Sequence, residues 1–88
     1  MLLSEAIDLR LNELLKQNNL TVYRLSYRAG ISNSIISDFK RGKVKEPKIS
    51  SILHICEALN IELKDFFNSP YFKDVEAIDR LEKNSKIS

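Results

Sequence analysis

Within residues 33–38 the chain gathers four short polar side chains, and a run of basic residues follows directly after them. The polar residues offer an amide, two hydroxyls and a carboxylate: Asn33, Ser34, Ser37 and Asp38. The basic residues that follow include Arg41, Lys43 and Lys45. Amides and hydroxyls both donate and accept hydrogen bonds, whereas a carboxylate accepts and a cation donates. This combination predicts binding to a polar, negatively charged surface through hydrogen bonds and ion pairs.

Residue types that commonly support catalysis or metal binding are sparse and poorly placed. His54 is the one histidine and Cys56 the one cysteine, so neither a zinc site nor an internal disulfide is expected. No serine has a histidine placed to activate it, and the carboxylates form no convincing pair. Cys56 is expected to be a small core residue. We therefore expect no enzymatic activity, no metal and no cofactor.

Positive charge is concentrated in the middle of the chain. Residues 22–48 hold seven basic and two acidic residues, a net charge of +5, whereas residues 1–21 carry −1 and residues 49–88 carry −2. A basic stretch alone is more often an ordinary solvated surface than a binding site. The asymmetry nevertheless favours a polyanion contact, because it coincides with the polar cluster.

Length and composition indicate a small globular protein with one domain. The chain has 88 residues, of which 43% are hydrophobic and 30% charged. No apolar run approaches the roughly 18 residues of a membrane span. The amino terminus also lacks the basic flank and long apolar core of a signal peptide. These features predict a cytoplasmic protein that does not enter a membrane.

Apolar spacing predicts five helices between residues 5 and 67. The first covers 5–18 with Ser4 as its N-cap, the second 22–29 with Thr21, and the third about 33–41 with Ser32. The fourth covers 49–59, and a short fifth lies around 63–67. The fourth helix is expected to bury five side chains: Ile49, Ile52, Leu53, Cys56 and Leu59. The chain is therefore predicted to be all-α.

The second and third helices are separated by three residues, Gly30-Ile31-Ser32. Gly30 can adopt the positive φ that such a turn needs, and Ile31 can anchor the turn in the core. Burying Ile36 and Phe39 would leave the polar cluster on the outward face of the third helix. A helix that presents short polar groups in this way fits the major groove of DNA.

The residues of this region resemble the helix-turn-helix of the lambda-repressor and Cro (XRE-type) family. The matching pattern is Thr21-Val22-x-x-Leu25-Ser26-x-x-Ala29-Gly30-Ile31-Ser32-x-Ser34-x-Ile36-Ser37-x-Phe39-x-x-Gly42, continued by Pro47-Lys48-Ile49 and Leu63-Lys64-Asp65-Phe66-Phe67. The resemblance covers about residues 5–67 and implies a five-helix DNA-binding domain, here assigned to residues 1–68. It also implies a small transcriptional regulator that binds double-stranded DNA and is expected to act as a repressor.

The resemblance implies two sets of DNA contacts. Asn33 and Ser34 stand where the family reads bases, and Asp38 and Ser37 face the same groove. Phosphate contacts are expected from the helix starts and from the basic residues: Thr21, Val22, Ser32, Arg24, Arg28, Arg41, Lys43 and Lys45. Three positions depart from the family pattern: Val22 in place of Gln, Lys40 in place of Glu, and Glu62 in place of a Ser or Thr cap.

Residues 69–88 are predicted to form an additional helical extension with a frayed end. Its apolar residues could fold back on the domain or pair with a second copy: Tyr71, Phe72, Val75, Ile78 and Leu81. Because family members usually bind as dimers, a homodimer on a near-palindromic operator is the preferred interpretation. The alternative is an antitoxin-like or adaptor-like module, whose extension would hold a regulatory protein partner.

Overall fold

The computed structural model describes residues 1–44 and 46–77. Five α-helices and one 3-10 turn follow in order along the chain: α1 Leu3–Gln17, α2 Val22–Ala29, α3 Asn33–Lys40, α4 Ile49–Leu59, α5 Leu63–Phe67 and the 3-10 turn Pro70–Phe72. Extended pairing in the described ranges is limited to one isolated bridge between Leu2 and Glu76. The predicted all-α class is confirmed.

One hydrophobic core joins the five helices. Its buried side chains come from every helix: Ile7, Leu11, Leu14, Leu15, Leu25, Ile36, Phe39, Ile52, Ile55, Cys56, Leu59 and Phe66. Two residues predicted to be buried in α4 are not, since Ile49 is 59% exposed and Leu53 is 42% exposed. The buried face of α4 runs through Ile52, Ile55, Cys56 and Leu59. Ile49 is the first residue of the helix and precedes the buried part of this face, and Leu53 lies about 100° around the helix from Ile52.

The start of α1 differs from the prediction because a distant segment determines it. Ser4 was expected to cap the helix, but it lies inside α1 and is buried, and Leu2 is the N-cap residue. Extended backbone around residue 76 pairs with this end: the Leu3 amide donates to the Glu76 carbonyl at 2.7 Å, and the Glu76 amide donates to the Met1 carbonyl at 3.0 Å. These bonds hold Leu2 in an extended conformation, so the helix begins at Leu3.

The helical extension predicted over residues 69–88 is wrong for residues 73–77, because the described part is helical only in the 3-10 turn Pro70–Phe72. After the 3-10 turn, Asp74 adopts a φ of 61° and the chain becomes extended at Glu76. The Phe72 ring packs 4.9 Å from the Phe67 ring and 6.0 Å from the Phe66 ring, measured between centroids. Phe72 therefore completes an aromatic cluster at the end of α5. The remainder of that prediction, including Ile78 and Leu81, lies outside the described residues.

Arg10, to which the sequence patterns assigned no role, joins α1 to the end of α5. Its guanidinium donates to the carbonyl oxygens of Phe66, at 2.7 Å, and Asp65, at 2.6 Å, and it pairs with Glu13. These carbonyls belong to the last turn of α5, where backbone acceptors lack helical partners and where positive charge is favourable. The side chain is only 12% exposed, so water cannot fully replace these bonds.

Replacing Arg10 by Met is expected to lower the free energy of unfolding by about 2–3 kcal/mol. Met retains most of the apolar stem but removes the charged donors, leaving the Phe66 carbonyl and Glu13 without Arg10 and the Asp65 carbonyl with only the Asn68 amide, at 3.3 Å. Urea denaturation of the variant beside wild type measures the effect. Arg24→Met is the matched control, because Arg24 is exposed and makes no ion pair with any described residue. Equal stability of the two variants would contradict the assignment.

Candidate nucleic-acid interface

The turn between α2 and α3 has the conformation that the sequence predicts. Gly30 adopts φ 68° and ψ 25°, and its amide donates to the Ser26 carbonyl at 3.0 Å. A side chain at this position would meet no atom within 4 Å, so the positive φ alone favours glycine. Ile31 packs against the core beneath the turn. The turn thereby fixes the orientation of α3 relative to α2.

Both predicted N-caps of the pair are confirmed. The Thr21 hydroxyl accepts from the Arg24 amide at 3.2 Å, and the Ser32 hydroxyl accepts from the Ile35 amide at 3.3 Å. The Ser32 hydroxyl also lies 3.1 Å from the Ser34 hydroxyl. Each cap satisfies one of the amides that a helix start leaves without an internal partner. The remaining first-turn amides carry the positive end of the helix dipole, which favours anions.

The predicted polar face of α3 lies on the surface. Ile36 and Phe39 are buried and anchor the helix, while Asn33 and Ser34 are exposed and Ser37 and Asp38 are partly exposed. The side-chain amide of Asn33 makes no hydrogen bond with any residue in the described ranges. Its NH₂ group can therefore donate to a ligand and its carbonyl oxygen can accept from one. Ile35, also exposed, adds an apolar group to the same region.

Arg41 folds back along the last turn of α3. Its guanidinium lies 3.7 Å from the Asp38 carboxylate, and its Nε donates to the Ser37 carbonyl at 3.4 Å. The two charged side chains are 59% and 47% exposed, respectively. The pair is therefore accessible from solvent, and both members lie at the edge of the exposed face of α3.

A groove runs between the start of α2 and the end of α3. It is lined by Val22, Ser37, Lys40 and Arg41. The structure thus brings two cations and a hydroxyl beside the amino-terminal turn of α2. Such an arrangement can hold a phosphate group by ion pairing and by hydrogen bonds from backbone amides. Lys40 is one of the departures from the family pattern, and its proximity to Val22 cannot be predicted from the sequence because it depends on the angle between two helices.

The other predicted phosphate-binding cations that the structure describes lie on α2 and just after α3. Arg24 and Arg28 are exposed on α2 beside Tyr23 and Tyr27, and Tyr27 is 80% exposed. Lys43 is exposed after the turn that ends α3, and its amide donates to the Asp38 carbonyl at 3.0 Å. Within residues 1–44 and 46–77, none of these three cations pairs with a carboxylate. Lys45 lies outside the described residues.

Cys56 and His54, the side chains weighed as candidates for catalysis or metal binding, lie in different surroundings. Cys56 is fully buried, and burial raises the pKa of its thiol, so the group stays neutral in the core at physiological pH. His54 is exposed, 3.6 Å from the Glu57 carboxylate. Across the described part of the chain, no three His, Cys, Asp or Glu residues are grouped as a metal site would require. No helix in that part has the length and apolar character to cross a membrane.

Two short helices joined by a glycine turn, with a polar outer face and adjoining cations, define a helix-turn-helix DNA-binding domain. The family model of the Cro/C1-type HTH DNA-binding domain matches residues 10–70, and the chain belongs to this family. Its members bind DNA and are typically not enzymes. The chain is also similar to the crystal structure of the prophage Lp1 protein 11, with 34% sequence identity and a TM-score of 0.72, over 85% of this chain and 100% of that one. None of the curated proteins compared with the chain matches it significantly.

Proposed function

We propose that this protein is a transcriptional repressor that binds a specific DNA operator as a homodimer in the cytoplasm. The observation that carries the proposal is the exposed polar face of α3, held outward by the buried side chains of Ile36 and Phe39. Membership of the Cro/C1-type family supports DNA as the partner. An eight-residue helix with this surface fits the major groove, where base edges differ from one base pair to the next.

Affinity and selectivity are divided between two groups of residues in this proposal. Phosphate contacts come from the groove and the surrounding surface: Thr21, Val22, Ser32, Arg24, Arg28, Lys40, Arg41, Lys43 and Lys45. Base contacts come from Asn33, Ser34, Ser37 and Asp38. Phosphate contacts release counterions and make binding strongly dependent on salt, whereas base contacts set the preferred sequence.

Dimerisation would place two copies of α3 in successive major grooves, about 34 Å apart on one face of the duplex. The proposed dimerisation residues are Tyr71, Phe72, Val75, Ile78 and Leu81. Phe72 packs against its own domain, so Tyr71 and Val75, which are partly exposed, are better available for contact with a second copy. A near-palindromic operator would follow from the two-fold symmetry of such a pair.

Selection of bound duplexes from random DNA, repeated at two salt concentrations, tests this function. The expected result is enrichment of one sequence with two related half-sites, and affinity that falls steeply as the salt concentration rises. Enrichment of a single half-site would support DNA recognition but contradict the dimer. A protein that enriches no sequence at either concentration would contradict the proposal and favour the protein-interaction module instead.

Asn33→Ala is expected to relax the preference at one base pair of each half-site by about 1–3 kcal/mol, with little change at the others. The reason is that the Asn33 amide can form a paired hydrogen bond with adenine. Binding to all single-base variants of the selected site measures the effect. Asn60→Gly is a control outside α2 and α3, because Asn60 is the exposed C-cap residue after α4, with a φ of 58° that glycine adopts readily. A uniform loss of affinity over all the variants would indicate a backbone contact by Asn33.

A further inference from the structure

The Asp38–Arg41 pair places a negative and a positive side chain at the edge of the same DNA-facing surface. Its geometry is open: the charged groups are 3.7 Å apart, and about half of each side chain is exposed. Among the described residues, Arg41 has the one basic side chain within ion-pair distance of Asp38. A surface pair of this kind contributes little to folding. Its position suggests a role in binding.

We infer that Asp38 is a specificity-determining residue that acts by retaining Arg41 in the free protein and releasing it only on a suitable DNA sequence. This inference rests on the proposed function. When Arg41 moves to a phosphate, the Asp38 carboxylate loses its counterion and faces the duplex. The residue then needs a hydrogen-bond donor from a base edge.

Cognate and noncognate sequences differ in whether they supply that donor. The amino groups of cytosine and adenine project into the major groove, and a carboxylate can accept from them. On a sequence with a carbonyl oxygen at the same place, two acceptors would face each other, and Arg41 would remain with Asp38. The phosphate contact of Arg41, which carries no sequence information by itself, thereby becomes dependent on sequence.

Substitution of Asp38 by Asn tests the inference, because the amide keeps the shape of the side chain and removes its charge. Affinity is measured for the selected duplex and for a scrambled duplex. Asp74→Asn is the matched control: it makes the same change of net charge at an exposed position whose φ of 61° asparagine tolerates. D38N is expected to bind the scrambled duplex about two- to fivefold more tightly than D74N does. The ratio of affinities for the two duplexes should fall about tenfold.

Repeating the Asp38 substitution in an R41Q background separates release of Arg41 from simple loss of repulsion. If Asp38 acts through Arg41, the gain on the scrambled duplex should disappear in the R41Q background, giving a coupling between the two substitutions. Equal gains in both backgrounds, or identical behaviour of D38N and D74N, would overturn the inference while the proposed function stands. Failure of the wild-type protein to prefer any duplex would overturn both.

Discussion

Reversing the charges of Arg41 and Lys43 together, in the R41E/K43E variant, is expected to reduce affinity for the selected duplex by on the order of a hundredfold at moderate salt. Arg41 lines the groove at the start of α2, and Lys43 follows α3 on the exposed surface. The double change removes the two proposed phosphate contacts and adds two repulsive charges. A scrambled duplex carries the same phosphates and should also lose affinity, but by a smaller factor, because Arg41 stays paired with Asp38 on such a sequence.

K64E/K73E is the matched control for this prediction, since it makes the same change of net charge at two exposed lysines outside α2 and α3. Screening over distances beyond roughly 8–10 Å keeps its effect on binding small at physiological salt. Fluorescence anisotropy with labelled duplexes compares the two variants at several salt concentrations, and circular dichroism verifies that both are folded. An equal loss of affinity in both variants would mean that overall charge, rather than this surface, determines binding.

Replacing Phe66 by Ala is expected to lower the free energy of unfolding by about 3–5 kcal/mol. Phe66 is fully buried, and its ring packs against Phe67 and Phe72. The substitution removes the centre of this aromatic cluster and loosens the end of α5 that Arg10 binds. Domains of this size have a total stability of about 5–15 kcal/mol, so the variant should be substantially unfolded at moderately raised temperature.

Tyr27→Ala provides the comparison, because it deletes an aromatic ring of similar size from a position that is 80% exposed. Its stability should stay within about 0.5 kcal/mol of wild type. Urea unfolding followed by circular dichroism compares the three proteins. A decrease of less than about 1 kcal/mol in the free energy of unfolding of the Phe66 variant would contradict this prediction, because it would mean that the cluster repacks around the missing ring.

The helix-turn-helix could be predicted closely because its boundaries depend on local chemistry. Thr21 and Ser32 cap the helices that follow them, and Gly30 supplies the positive φ between them. Each of these effects acts within three or four residues along the chain. The start of α1 could not be predicted in this way. It depends on backbone bonds to Glu76, more than seventy positions away, which no pattern around Ser4 can indicate.

The same distinction applies to the candidate site. Burial of Ile36 and Phe39 follows from helical spacing, so the outward polar face was predictable from the sequence. The partnership of Asp38 with Arg41 depends on rotamers, and the approach of Lys40 to Val22 depends on how two helices cross. The extension after Phe72 was predicted wrongly because the spacing of Phe72 and Val75 fits a helix, whereas the chain beyond the 3-10 turn becomes extended and Phe72 packs against the rings of Phe66 and Phe67.

The length of α3 limits how much sequence one copy of the protein can read. Eight residues extend about 12 Å along the helix axis, close to the width of the major groove. At about 3.4 Å per base pair, such a helix reaches roughly four base pairs, and a given four-base-pair sequence recurs by chance about once every 250 base pairs. A genome contains thousands of such positions. In the proposed function, the second copy of α3 in the homodimer supplies a further reading helix at a fixed distance, and we expect the spacing between half-sites to matter as much as the bases within them.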